Sequence, residues 1–399
     1  MNNHIPEHWK LKKLGDVCEI VMGQSPPSTT YNYDEIGLPF FQGKSEFTEQ
    51  YPEVNKWCNA PNKIALPNDI LLSVRAPVGT TNIANQKCCI GRGLAAIRYE
   101  NFKYIFYFLR SIEQQLDEKG TGTTFRAISG ETIRTTEIPI PPLPEQQAIV
   151  SKIEELLSDL ENGKQQLLLA QQQLKIYRQS LLKWAFEGRL TNKNVNDGEL
   201  PKSWRIVELK SITDSIQYGY TESSSKENIG PKFLRITDIQ DDKVHWDDVP
   251  YCKIGNEIKG KYLLNDGDLV FARTGATVGK SYLIKGDIPE AVFASYLIRV
   301  RVSLKMDEKY LSYFFHSPNY WSQITEGQVG IGQPNVNGTK LGQLKITIAP
   351  FEEQQLIVDE LESKLTVCDK IEETISQSLL QAESLRQSIL KKAFEGKLV

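Results

Sequence analysis

The chain has 399 residues and a mass of 45.3 kDa, too much for one ordinary domain, so two or more are expected. Its 40% hydrophobic and 24% charged residues exclude a disordered chain, and no apolar run approaches the roughly 18 residues needed to span a bilayer. The formal charge of −3 lacks the basic excess usual for a nucleic-acid binder, and six cysteines with no CxxC pair, beside four histidines, make no zinc cluster.

The N-terminus, MNNHIPEHWK, has no apolar core of a signal peptide, and a reduced cytoplasmic setting is expected. A first block, 1–144, is electrically neutral, with strand-like runs at 70–74 and 94–99 bounded by turn residues and a helical stretch at 102–116. After Pro144 a long helix is expected over 145–190. Ile153, Leu160, Leu167, Leu174 and Leu181 recur every seven residues, with Ile149, Leu156, Gly163, Ala170, Tyr177 and Trp184 as a companion row. Acidic and amide residues open this helix and Gly188 stands where it should stop. At 1.5 Å per residue, some 40 residues span roughly 60 Å. A linker, 191–200, leads to a second block, 201–350, which carries a charge of +2. Its strand-like runs are 269–272, 282–284 and 296–302, and 307–324 reads as helical. The last segment, 351–399, holds a charge of −4 and a second helical stripe of Ile357, Leu361, Cys368, Ile371, Ile375, Ala382, Leu385 and Ile389.

The second half repeats the first. PPLPEQQAIV at 141–150 returns as APFEEQQLIV at 349–358, and RQSLLKWAFEGRL at 178–190 returns as RQSILKKAFEGKL at 386–398. Glu145 to Glu353 and Arg178 to Arg386 are both shifts of 208, with 18 of 46 aligned positions identical, which chance does not explain. Upstream the echo is looser: HWKLKKLGDV matches SWRIVELKSI, setting Trp9 against Trp204, and NDILLSVRAPVG matches DGDLVFARTGATVG. Helix lengths are strict and the blocks diverge. Each amphipathic helix needs a partner, and pseudo-twofold symmetry between the copies requires the two helices to run antiparallel with the blocks at opposite ends.

Catalytic motifs are missing. TGATVGKS at 274–281 would be a phosphate loop if Thr274 were glycine, but YLIKG follows where a helix is required, so strand–turn–strand is the better reading. No methyltransferase cofactor loop or [DN]PPY motif is present, since SPPS at 25–28 lacks both the Asp/Asn and the aromatic. No GxSxG or HExxH occurs either. A chain without catalysis of its own is expected, with no metal site.

Taken together, IPIPPLPEQQAIVSKIEELL and its echo, SLLKWAFEGRL and its echo, the opening W–KLGDV pattern and the SVRAPVG and ARTGATVG turns resemble the specificity subunit of Type I restriction-modification systems, over essentially the whole chain. The resemblance implies an α+β fold: two mixed α/β target-recognition domains (1–144 and 201–350) joined by two long helices in an antiparallel coiled coil. It implies that each domain reads half of a split DNA sequence and that helix length sets the unread spacer. It further implies that the helices dock two methyltransferase subunits carrying S-adenosylmethionine, with restriction subunits that use ATP and Mg joining them. The helix row expected to form the pair and the partner interface is Ile153, Leu160, Leu167, Leu174, Leu181, Leu361, Ile375 and Ile389.

Base contacts are expected where side chains that pair with base edges lie at turns beside strands, since Arg matches guanine O6/N7 and Gln or Asn matches adenine N6/N7. In the first block these are Gln42, Lys44, Arg75, Thr123, Thr124 and Arg126; in the second, Arg235, Arg273, Thr274, Gln333 and Asn335. The bland reading of each is a solvated loop or a phosphate contact. Trp9, Trp204, Phe186 and Phe394 are expected to pack. A coiled-coil scaffold that joins proteins without reading DNA is the rival, disfavoured because a scaffold has no need of two divergent blocks of about 150 residues.

Overall fold

The computed structural model describes residues 5–122, 126–192, 194–196, 198–240, 242–275, 277–303, 305–326 and 336–399. The chain divides into two compact units, Met1–Leu168 with Ser376–Val399, and Leu169–Ile375. Two 44-residue helices, Leu143–Phe186 and Phe351–Phe394, each begin in one unit and end in the other.

Both units are built on one plan. In the first, an antiparallel sheet runs in the order Glu19–Met22, Leu94–Arg98, Ile70–Ser73, Thr81–Ile83. In the second, Thr213–Tyr218, Leu297–Val302, Leu269–Ala272 and Ser281–Leu283 follow in the same order and sense. Each unit adds a parallel pair, Leu38–Phe41 with Cys88–Ile90 and Lys232–Leu234 with Ala291–Phe293. Each also closes its ends with an antiparallel pair, Lys10–Lys13 with Glu137–Ile140 and Arg205–Glu208 with Lys345–Ile348. Antiparallel strands that face water on one side alternate apolar and polar residues, but Ile70–Ser73 and Leu269–Ala272 are buried throughout. They separate two cores. Ile70 and Leu72 pack toward the helix Phe102–Ser111, while Leu71 turns to Phe41 and Ile90. Leu269 and Phe271 likewise face the helix Glu308–Phe314, and Val270 faces Leu234 and Phe293.

The repeated EQQ motif is a joint. The Trp9 indole N–H donates to Glu145 (2.9 Å), and that of Trp204 to Glu353 (2.9 Å). The next residue, Gln146 or Gln354, is buried and donates its amide back to the carbonyl of Pro141 (3.0 Å) or Ala349 (2.8 Å), fixing the angle at which each helix leaves its strand. The repeated FEG motif closes the other end. Gly188 (φ 77°) and Gly396 (φ 67°) are left-handed, and a Cβ there would stand 2.4 Å from Pro201 and 2.3 Å from Pro6. Glycine is required at both.

Within the first unit Ile149, Val150 and Ile153 share a core with Leu390, Ala393 and Phe394; within the second Leu174, Leu181 and Leu182 share one with Ile357, Val358, Leu361 and Cys368. In each unit, therefore, the two helix segments run antiparallel. Arg178 adds ion pairs to Asp369 (2.7 Å) and Glu372 (3.0 Å).

Three details depart from expectation. The helix anticipated at 102–116 is two pieces, Phe102–Ser111 and Glu113–Glu118, because the Ser111 hydroxyl turns back onto the Phe108 carbonyl (2.6 Å) at the break. That at 307–324 breaks before Pro318, where buried Ser317 donates to the Phe314 carbonyl. Ile371 and Leu385, expected on the buried stripe, are exposed. A pair of helices covers one narrow row on each member, so a position beside that row such as Tyr177 stays exposed.

Candidate nucleic-acid interface

At one end of the first unit's sheets three turns meet. The first follows Leu38–Phe41 and carries Gln42 and Lys44, the second follows Ile70–Ser73 and carries Arg75, and the third, 91–93, joins Cys88–Ile90 to Leu94–Arg98 and carries Arg92. Main-chain bonds hold them together: Gly91 N–H to the Phe41 carbonyl (2.8 Å), Val74 N–H to the Gly93 carbonyl (2.9 Å) and Gly23 N–H to the Leu94 carbonyl (2.9 Å). A Cβ on Gly93 would lie 2.2 Å from the Gln42 carbonyl oxygen, and one on Gly23 2.1 Å from that of Gly91. Glycine lets the turns close against one another. The result is a cleft of about 150 Å³ lined by Gln42, Lys44, Ser73, Arg75 and Arg92.

The Ser73 hydroxyl donates to the Arg75 carbonyl (2.9 Å), and Glu46 spends its carboxylate on the Gln42 and Gly43 amides and the Ser45 hydroxyl. Three cations therefore line the cleft, and among the described residues no carboxylate lines it. Of the expected residues, Gln42, Lys44 and Arg75 are brought together here. Arg126 touches the same region by its carbonyl, which accepts from Ala76 N–H (2.9 Å), but its guanidinium is paired with Asp117 (2.8 Å). Thr123, Thr124, Gln333 and Asn335 lie outside the described residues. Arg92 escapes a sequence reading, although Gly-Arg-Gly between two apolar runs is a turn signal.

The second unit repeats the frame with other side chains. Ala294 N–H donates to the Leu234 carbonyl (2.9 Å), Arg273 N–H to that of Tyr296 (3.0 Å) and Gly219 N–H to that of Leu297 (3.1 Å). Arg235 thus follows its strand where Gln42 follows its own. It grips Asp238 through Nε (3.0 Å) and Nη2 (2.7 Å), and this pairing raises its pKa above the ordinary guanidinium value. Arg273 lies over the Tyr218 ring (5.0 Å) with its Nε buried and without a partner, and Thr274 follows it, half-buried. The strand that follows Leu269–Ala272 is Ser281–Leu283, paired antiparallel with it, where a phosphate loop would need a helix.

On the long helices, Ile153, Leu174, Leu181, Leu361, Ile375 and Ile389 are buried and Leu160 and Leu167 half-buried. Phe186 packs edge-on to Tyr310 and Phe314, and Phe394 to Tyr104 and Phe108. Among the described residues no group of His, Cys, Asp and Glu is placed to hold a metal, and no helix is long and apolar enough to cross a membrane. Burial pushes the Cys18, Cys88 and Cys89 thiols up to about 12 and Cys252 to about 11, which leaves these four un-ionised near neutral pH.

The family model of the Type I restriction modification DNA specificity domain matches this chain twice, at residues 6–170 and 201–381. The chain is 25% identical over 421 residues to the Type I restriction enzyme EcoKI specificity subunit of Escherichia coli, covering 99% of this chain and 90% of that protein. A shorter match, 42% identical over 180 residues, is to the putative type I restriction enzyme MjaX specificity subunit of Methanocaldococcus jannaschii, spanning 43% of this chain and 42% of that one. In fold the chain is similar to one solved in a study of complex assembly and conformational transition of the type I R-M system (TM-score 0.77, 21% identity, 99% of each chain). It is also similar to the HsdS subunit from Thermoanaerobacter tengcongensis (TM-score 0.68, 22% identity, 100% of each chain).

Proposed function

We propose, since the chain belongs to the Type I restriction modification DNA specificity family, that it is the non-catalytic subunit that reads a bipartite DNA sequence for a methyltransferase. One observation carries this reading: two units of one plan present, at the same strand ends, two different sets of side chains suited to base edges. A scaffold would not need that difference. On this reading the target-recognition domains are 1–144 and 201–350, the helices are 145–190 and 351–399, and 191–200 is a linker. Two methyltransferase subunits dock on the helices, where Leu169, Ile176, Val367 and Leu380 are exposed apolar side chains without which a lone helix pair would be more soluble. S-adenosylmethionine belongs to those subunits, and ATP and Mg to restriction subunits that join them in the cytoplasm. The near-neutral charge fits, because partners supply much of the phosphate contact that dominates DNA affinity.

The test is a map of N6-methyladenine in cells carrying this chain with its methyltransferase subunit. A split motif that disappears on deletion of the chain is the expected result, and methylation unchanged by the deletion would return the scaffold reading. Exchanging residues 1–144 for the same block of a relative should change one half-site and leave the other intact. Four residues inserted in the 150–180 helix add about 6 Å and should lengthen the spacer by about two base pairs, with both half-sites kept. A changed half-site in the insertion variant would contradict modular reading.

A further inference from the structure

We propose that Arg92 is a specificity-determining residue of the first unit, reading guanine through its major-groove O6 and N7, and that its counterpart Ser295 makes the second half-site different in kind. The inference rests on the DNA-reading function above.

The two copies of the turn supply the comparison. Gly91 and Ala294 occupy one position, since each donates its N–H to the carbonyl that ends the neighbouring parallel strand, Phe41 or Leu234. Gly93 and Tyr296 occupy another, since each carbonyl accepts from the residue beyond the central strand, Val74 or Arg273. Arg92 and Ser295 therefore stand at the same point of one main-chain frame. Where a frame is kept and its side chain changes, the side chain is free to serve recognition.

Availability points the same way. Arg98 is bound to Asp69 and Glu19, Arg110 to the Glu49 carbonyl and Arg126 to Asp117. Among the described residues no hydrogen bond or ion pair engages the guanidinium group of Arg92 or Arg75, each of which carries five N–H donors. Both are exposed, and they share a cleft with Lys44. Cations gathered without a carboxylate repel one another and are relieved by an acceptor from outside. Guanine offers two acceptors at the spacing of the rigid, planar guanidinium fork, whereas an ammonium is a flexible point donor with no such fork. The backbone under Arg92 is also fixed: its N–H donates to the Ser25 hydroxyl (3.2 Å), and Gly91 and Gly93 seat the turn against Gln42. The second unit offers instead a short hydroxyl at Ser295 beside Tyr296, which is 63% exposed.

The experiment is the methylation map of cells carrying the full chain as wild type, Arg92→Ala or Arg92→Lys, each with the methyltransferase subunit. The wild-type map comes first: absence of a split motif there would sink the DNA-reading function, before Arg92 is tested. Given a split motif, both variants should lose guanine preference at one position of one half-site by roughly 10- to 100-fold. The other half-site and the spacer should not change. Two results would overturn the proposal. One is a motif unaltered in Arg92→Ala. The other is methylation lowered evenly across all sites in Arg92→Ala and restored in Arg92→Lys, which marks a phosphate contact. Arg92 is a surface residue, and thermal unfolding of each variant within a degree or two of wild type would separate loss of reading from loss of fold.

Discussion

Replacing Asp268 with alanine should destabilise the second unit by about 3–5 kcal/mol, the usual consequence of leaving a buried charge without its counter-charge. Arg299 is only 1% exposed, and burial lowers its pKa from the ordinary guanidinium value. Its carboxylate neighbour is Asp268 (3.6 Å), which also pairs with Arg301 (2.9 Å) and accepts the Asn265 amide (2.9 Å). The first unit supplies the control. Asp69 holds the equivalent turn through the Leu66 amide (2.8 Å) and pairs with Arg98, but Arg98 is 35% exposed and has Glu19 in reserve (2.6 Å). At the position of Arg299 the first unit has Ala96. Asp69→Ala should therefore cost less than half as much. Urea unfolding followed by hydrogen exchange would measure both, and equal losses would show that the burial of Arg299 is not the cause.

Truncating the repeated phenylalanine should be comparably costly, about 3–5 kcal/mol in each case, and confined to one unit. Phe186 meets Tyr310 and Phe314 at ring-centroid distances of 5.0 and 5.2 Å, all within the second unit. Phe394 meets Tyr104 and Phe108 at 5.1 and 5.3 Å, all within the first. Phe186→Ala should speed amide exchange across 169–375, and Phe394→Ala across the remainder. Identical exchange patterns from the two variants would mean that the cores do not open independently.

Features governed by local periodicity were the most legible. The seven-residue spacing of Ile153 to Leu181 marks a helix, and a strict shift of 208 marks its twin. The reason for EQQ was not legible. Glu145 answers Trp9 across 136 residues and Glu353 answers Trp204 across 149, and no local pattern encodes such a pairing. Turn chemistry selects Gln42, Lys44 and Arg75 from sequence, but their meeting with Arg92 depends on glycines that bring three separate turns into contact. Charge misleads in the opposite direction. Arg126 and Arg235 have the right chemistry at turns, yet a carboxylate occupies each, a pairing set by the fold.

The turn that carries Arg92 in one unit and Ser295 in the other is held by main-chain bonds, which almost any residue can make. A substitution at either point falls among surface changes, whose effect on stability is usually within about 0.5 kcal/mol. Neighbouring sequences that read different bases are thus linked by single steps, none of which passes through an unfolded protein. Target choice can drift under selection while the scaffold stands still. A duplicated chain doubles that freedom, since either half can explore new preferences while its sibling keeps the old one.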